Sequence, residues 1–223
     1  MTTHTPFTEK YKPRAFNEIV FGSEEVKIMM QMYEKGFKSG SLILWGTQGT
    51  GKSTIANLLP AAIEGKKTTV DVIHAKEIKG NLYQLINRMQ NGRNLAHLQD
   101  QRYYLVIEEF AFHDENCSVF WTELDKIQGD SMVIICTNEI NKLPRSLTSR
   151  CECLEVLPAS PEQFLGRAKW ILGQEGLLLS DPVVLKALQS VAHLRDNRKY
   201  LRHLETVVGM YRLQQDGLVV NAR

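Results

Sequence analysis

Leu42-Ile43-Leu44-Trp45-Gly46-Thr47-Gln48-Gly49-Thr50-Gly51-Lys52-Ser53-Thr54 is the stretch that decides the fold. Gly46 to Ser53 fits the spacing G-x-x-x-x-G-K-[ST]. Glycines at those positions let the backbone curl until several N–H groups point into one hollow. A helix opening at Gly51 adds the positive end of its dipole. Lys52 is spaced to reach the β- and γ-phosphates of a nucleotide, and the Ser53 hydroxyl to ligate Mg²⁺. Gly46, Thr47, Gln48, Gly49, Thr50, Gly51, Lys52, Ser53 and Thr54 are therefore expected to hold ATP, with Mg²⁺ as its companion ion. The bland alternative is a chance glycine-rich turn. The motif, however, needs a strand before it and a helix after it, and both are legible here.

Working outward, Ser41–Trp45 reads as a short strand buried on both faces, and Lys52 to Ile63 as a helix. The pattern repeats. Val70–His74, Tyr103–Ile107, Met132–Cys136 and Cys153–Val156 read as strands. Glu24–Lys35, Asn81–Gln90, Cys117–Ile127 and a short piece around Pro144–Ser149 read as helices. Apolar strands alternating with helices predict a parallel five-stranded sheet covered on both faces. After Pro158 the strands stop, and Pro161–Gly173, Pro182–Ala192 and Asp196–Leu213 read as helices. In the last of these Leu201, Leu204, Val208 and Tyr211 form the apolar stripe. Residues 1–22 read as an irregular lead-in. The boundary expected at Pro158–Pro161 divides the chain into 1–157 and 158–223.

Composition sets outer limits. Hydrophobic residues at 43% and charged residues at 23% fit a globular protein and argue against general disorder. A net charge of +2 is too small to imply nucleic-acid binding by itself. The start, Met1 to Lys12, is polar, so no secretory leader is expected. No apolar run approaches the ~20 residues of a membrane helix, and a cytoplasmic location is expected. Cys117, Cys136, Cys151 and Cys153 lack C-x-x-C spacing. A structural zinc site is not expected, and the cysteines read as small apolar residues.

A phosphate loop needs further groups for metal and water. Tyr103–Ile107 runs directly into Glu108 and Glu109, and ligands of such sheets sit at the carboxyl ends of strands. Glu108 is expected to face Mg²⁺ and Glu109 to orient or deprotonate the attacking water. Asn138 closes the following apolar strand and is a candidate to position that water. A solvated strand end and a turn-opening asparagine are the plain alternatives.

Together these residues resemble the AAA+ ATPases, and more narrowly the clamp-loader small subunits. Thr8-Glu9-Lys10-Tyr11-Lys12-Pro13 through Val20 is similar to the family's lead-in, a segment that packs beside the adenine. The resemblance implies that Tyr11 and Pro13 line the nucleotide. It makes Gly46 to Ser53 Walker A, places Glu108–Glu109 at Walker B, and makes Asn138 sensor 1. Ser149-Arg150-Cys151 matches the S-R-C motif, whose arginine serves the ATP of a neighbouring subunit. Arg195-Asp196-Asn197-Arg198 is similar to the sensor 2 motif, with Arg198 directed at the γ-phosphate. Read without the resemblance, Arg150 complements a helix end and Arg198 lies on a solvated basic face. The implied fold is an α/β P-loop AAA+ three-layer domain followed by a small three-helix lid, with nucleotide between them.

Three departures stand out. Glu108 occupies a position where clamp loaders have Asp, and its longer side chain is expected to slow hydrolysis. Thr47-Gln48 replaces paired prolines. No collar of the kind that joins clamp-loader rings is expected after the third lid helix. Among other residues, Trp45 is expected under the loop, and Phe120 and Trp121 in core or interface. His74 reads as structural, and His113 as lying near the acidic pair. Lys76 and Lys79, and less directly Arg88 and Arg93, are candidates for DNA phosphates.

The functional expectation is an ATP-hydrolysing subunit of a clamp-loader-like assembly acting on DNA in replication. Its expected partners are other AAA+ subunits, primed or double-stranded DNA, and a sliding clamp. The alternatives are a nucleotide-dependent scaffold or regulator with slow hydrolysis, or a loader for another DNA machine such as a helicase or transposase.

Overall fold

The computed structural model describes residues 5–78, 82–110, 118–126 and 129–215. The apolar runs form strands β1 (Leu42–Trp45), β2 (Asp71–His74), β3 (Tyr103–Glu108), β4 (Ser131–Thr137) and β5 (Glu152–Glu155). All neighbouring strands pair in parallel, in the order β2-β3-β4-β1-β5. Every residue of β4 is buried, as are the first five of β3, because these strands lie inside the sheet. Edge strands β2 and β5 are less buried. The helices are α1 (Phe7–Lys10), α2 (Glu24–Glu34), α3 (Lys52–Glu64), α4 (Leu82–Leu98), α5 (Ser118–Lys126), α6 (Arg145–Thr148), α7 (Pro161–Gln174), α8 (Asp181–Ala192) and α9 (Asn197–Gln215).

The chain divides into two compact units, Ser23–Leu157 and Met1–Gly22 with Pro158–Arg223. In the first, side chains alternate across the sheet. Ile43, Leu105, Ile107, Val133 and Ile135 share one face with Leu85 and Met89 of α4 and with Phe120 and Leu124 of α5. Leu42, Leu44, Tyr104, Val106 and Ile134, of the opposite phase, are fully buried. α3 packs against β1, β3 and β4, with α2 beside it. Each such side chain contributes about 1.5–3 kcal/mol through burial. This is the expected AAA+ three-layer α/β arrangement.

α4 runs eight residues past the expected end at Gln90, straight through Gly92. Gly92 is a notch. A Cβ there would meet the Tyr103 ring at 2.3 Å. That ring is pinned, since its hydroxyl donates to Asp71 Oδ2 at 2.8 Å. Burial and this contact push the Tyr103 phenol pKa strongly upward.

In the second unit, α7 opens with a capping box. Gln163 N donates to Ser160 Oγ, and the Gln163 side chain accepts from Ser160 N. Phe164, Ala168, Ile171 and Leu172 of α7 pack with Val184 and Leu188 of α8 and with Tyr200, Leu204 and Val208 of α9. The expected α9 stripe is therefore shifted. Tyr200 replaces Leu201 on the buried line, and Tyr211 is 39% exposed. Tyr200 can be fully buried because its hydroxyl donates to Ala159 O at 3.0 Å and its ring stands 4.9 Å from that of Phe164.

The lead-in is more ordered than its composition suggests, with α1 and a 3₁₀ turn at Phe16–Glu18. It packs with the C-terminal helices through Phe7 and Tyr11. Glu175 gathers the polar contacts. Its Oε1 accepts from Lys10 Nζ at 2.7 Å and from the Tyr11 hydroxyl, and its Oε2 from Arg212 Nη2 at 2.6 Å. Burial opposes the Glu175 charge. The bonds from Lys10 and Tyr11, with the charges of Lys10 and Arg212, outweigh it and hold the carboxyl below its usual range. Arg167 adds bonds to Tyr11 O (3.2 Å) and Glu18 Oε2 (3.3 Å) and stacks 4.4 Å from the Trp170 ring centroid.

Candidate nucleotide site

The loop between β1 and α3 has its expected backbone. Gly46, Gly49 and Gly51 have φ of 138°, 78° and 102°, a region that favours glycine. At Gly46 the requirement is double, because a Cβ would also lie 2.6 Å from Val156 O. Lys52 is buried, and its ammonium donates to Gly46 O at 2.8 Å and Thr47 O at 2.7 Å. Thr50 Oγ1 donates to Thr47 O at 3.1 Å. The loop is thus drawn around the lysine from both sides, while Thr47, Gln48 and Ser53 face solvent. Thr54 follows in the first turn of α3. The first N–H groups of a helix lack intrahelical acceptors, so this turn offers donors to an anion.

Strand register brings the acidic residues to the same edge. His74 pairs with Glu108, Ile107 with Ile135, and Trp45 with Thr137. Gly46 and Asn138 are consequently the first residues beyond two adjacent strand ends. Glu108 is mostly buried, and its Oε1 accepts from Asn57 Nδ2 at 3.4 Å. Asn57 also donates to Ser53 O at 2.7 Å, tying the first turn of α3 to the end of β3. His74 Nδ1 lies 3.5 Å from Glu108 Oε2. Glu109 has φ 54°, a strained value for a residue with a side chain, and its exposed carboxylate pairs with Lys76 Nζ at 3.1 Å. Asn138 is exposed.

The donor set suits Mg²⁺ in the way a phosphate-bound ion requires. Among the described residues no group of three His, Cys, Asp or Glu side chains is placed to cage a metal. With Glu109 paired to Lys76, this edge offers the Ser53 hydroxyl and the Glu108 carboxylate, the kind of set Mg²⁺ uses when phosphates and water complete its shell.

The two arginines are held differently. Arg150 Nε donates to both carboxylate oxygens of Asp125 on α5, at 2.9 Å each. Arg198, in the helical unit, pairs with Asp196 through Nε and Nη2 at 3.2 Å. Asp196 Oδ1 also caps α9 by accepting from Arg198 N at 2.8 Å. Tyr11 is buried in the helical unit and Pro13 is partly buried.

Two other candidates are redirected. Arg88 grips Asp71 through Nε and Nη2, and Arg93 Nη2 pairs with Asp130 at 3.1 Å. Their charges are spent on neighbouring carboxylates rather than offered to an outside phosphate. Lys79, His113 and Cys117 lie outside the described residues, as does the side chain of Trp121. Burial pushes the Cys136 and Cys151 thiols up to about 12 and raises that of Cys153, so these thiols are chemically quiet. Trp45 is half-buried at the end of β1.

Sequence reasoning missed Asn57, the placement of His74 beside Glu108, and Asp125. Asn57 carried a signal: it lies four residues after Ser53, on the same side of α3. The other two depend on strand register and helix packing.

Residues 42–158 match the family described as "ATPase family associated with various cellular activities (AAA)". Replication factor C small subunit 2 of Pyrobaculum arsenaticum is 27% identical over 180 residues, 78% of this chain and 54% of that protein. The chain spans about half the length of the curated relatives it matches, 54% in that case. Its fold is similar to the Thermotoga maritima RuvB Holliday junction branch migration motor, with TM-score 0.69 and 18% identity, over 92% of this chain and 67% of that one. It is also similar to domain III of the Thermotoga maritima replication initiation protein DnaA, with TM-score 0.60 and 16% identity, over 97% and 94%. At these identities the two structures speak to fold alone. A phosphate loop, two carboxylates and an amide meet at one sheet edge, and the family match covers more than half of the sequence: the chain belongs to the AAA ATPase family.

Proposed function

We propose that this protein binds ATP with Mg²⁺ and hydrolyses it as a subunit of a clamp-loader-like assembly acting on DNA in replication. The observation that carries the reading is the convergence of Lys52, Ser53, Glu108, Glu109 and Asn138 at the carboxyl edge of one sheet. Gly46 to Thr54 bind the phosphates. When bound, Mg²⁺ neutralises developing charge on them. Ser53 and Glu108 hold it on the protein side. Glu109 takes the proton of the attacking water as its oxygen bonds to the γ-phosphorus, and the bond to the bridging oxygen breaks, leaving that electron pair on ADP. Asn138 orients the water. Arg150 serves a neighbouring subunit's ATP, and Arg198, Tyr11 and Pro13 serve this subunit's own. These last four roles rest on the resemblance to clamp-loader subunits. We further assign residues 23–157 to nucleotide binding and 158–223 to the lid; the lead-in 1–22, expected with the first domain, packs with the second unit instead. Partners of this reading are other AAA+ subunits, primed or double-stranded DNA and a sliding clamp.

The test is ATP binding by calorimetry and turnover with and without primed DNA. Lys52→Ala is expected to weaken ATP binding on the order of 10²-fold, since it removes charge-assisted bonds. Unchanged affinity would remove the reading. A slow, scaffold-like ATPase is the second reading, favoured by Glu108 and by the Lys76 pair on Glu109. Turnover that stays slow with primed DNA would select it.

A further inference from the structure

Arg150 is anchored from two helices. Nε donates to both oxygens of Asp125, and Nη1 donates to Ser146 O in α6. Arginine presents five N–H donors in one rigid plane. The contacts to Asp125 and Ser146 take up Nε and Nη1 and leave the outer edge of the plane, at Nη2, uncommitted by either. Asp125 and Arg150 are 48% and 35% exposed, and an ion pair of this exposure adds little to stability. Its effect is on conformation. An exposed arginine samples many rotamers, whereas a group that acts on a transition state works best when its geometry is set beforehand.

We propose that Asp125 is a positioning residue for Arg150: it fixes the guanidinium so that its outer edge is presented to the ATP of a neighbouring subunit. This rests on the reading of Arg150 as an arginine supplied in trans. Asp125 acts through the arginine, so the site it supports is the neighbour's rather than its own.

The experiment compares Arg150→Ala and Asp125→Ala in ATP-analogue affinity, kcat, KM and melting temperature, and then mixes chains. Asp125→Ala is expected to keep analogue affinity, KM and melting temperature while lowering kcat about 10- to 100-fold, the range that misplacement of a catalytic group produces. Mixed with Lys52→Ala chains, which have no working ATP site but an intact arginine, Asp125→Ala chains are expected to regain turnover. Lys52→Ala/Arg150→Ala chains are expected not to restore it. If Arg150→Ala turns over at the normal rate, the trans reading falls and this inference with it. If Arg150→Ala loses turnover while Asp125→Ala keeps or exceeds the normal rate, the inference alone is overturned. Lost turnover that mixing fails to restore also overturns it, because the defect then lies in the chain's own site.

Discussion

The phosphate loop and the N-terminal lead-in were both expected at the nucleotide, yet they are held by different physics. The loop is set by backbone. Its glycines adopt positive φ, a Cβ at Gly46 would strike Val156 O, and the lysine is gripped by carbonyls five and six residues away. The lead-in is set by side chains from far along the chain. Lys10 and Tyr11 reach Glu175, and Arg167 reaches back to Tyr11 and Glu18. A segment of the first kind carries its conformation in its own residues. One of the second kind takes its shape from residues more than a hundred positions later.

That contrast can be broken at either end. The largest effect is expected at the loop, where Gly46→Val has no allowed placement. Analogue binding should fall below detection in a calorimetric titration, and measurable binding would mean the loop is less constrained than its backbone implies. Next comes Gly92→Ala. The added methyl collides with a pinned ring, so unfolding should cost about 1–3 kcal/mol less in a denaturant titration, with nucleotide affinity unchanged. A neutral result would show that Tyr103 can turn away without loss.

At the lead-in, Glu175→Gln should release residues 5–22 to limited proteolysis and lower stability by about 1–3 kcal/mol, because Lys10 and Arg212 lose their shared anion. The same clip is sensitive to acid. Since the folded-state carboxyl titrates below its usual value, its stabilisation is fully present above the ordinary glutamate range near ~4.3. It declines below that range and is gone once pH falls through the depressed folded value. Glu175→Gln should abolish that part of the acid sensitivity, and a variant melting with the wild-type pH profile would assign it elsewhere. The smallest effects sharpen the α9 register. Tyr200→Phe should cost about 1 kcal/mol for one lost hydrogen bond, whereas Tyr211→Ser should stay within about 0.5 kcal/mol. The reverse order would restore the stripe through Tyr211.

Legibility followed the same division. The five strands were readable as apolar runs because a parallel sheet buries both faces of its inner strands, so no alternation is needed to find them. The loop, Glu108–Glu109 and Asn138 were readable as positions immediately after those strands. The reading failed where a residue's meaning depended on a distant partner. The helix expected to end at Gln90 runs on through Gly92 to Leu98, and only the Tyr103 ring explains the glycine there. Leu201 looked like a better core residue than Tyr200 because only Ala159 O satisfies the tyrosine hydroxyl. Arg88 and Arg93 looked like free cations because Asp71 and Asp130 are remote in sequence.

By itself the sequence determined the order of strands and helices, the phosphate loop and its place at a strand end, since glycine conformation, apolar runs and helix starts are properties of neighbouring residues. Tertiary structure alone decided that Asn57 reaches Glu108, that Lys76 meets Glu109, that Asp125 holds Arg150, and that the lead-in closes on Glu175. Those contacts join elements whose separation in space is fixed by sheet register and helix packing, and no local spacing encodes it.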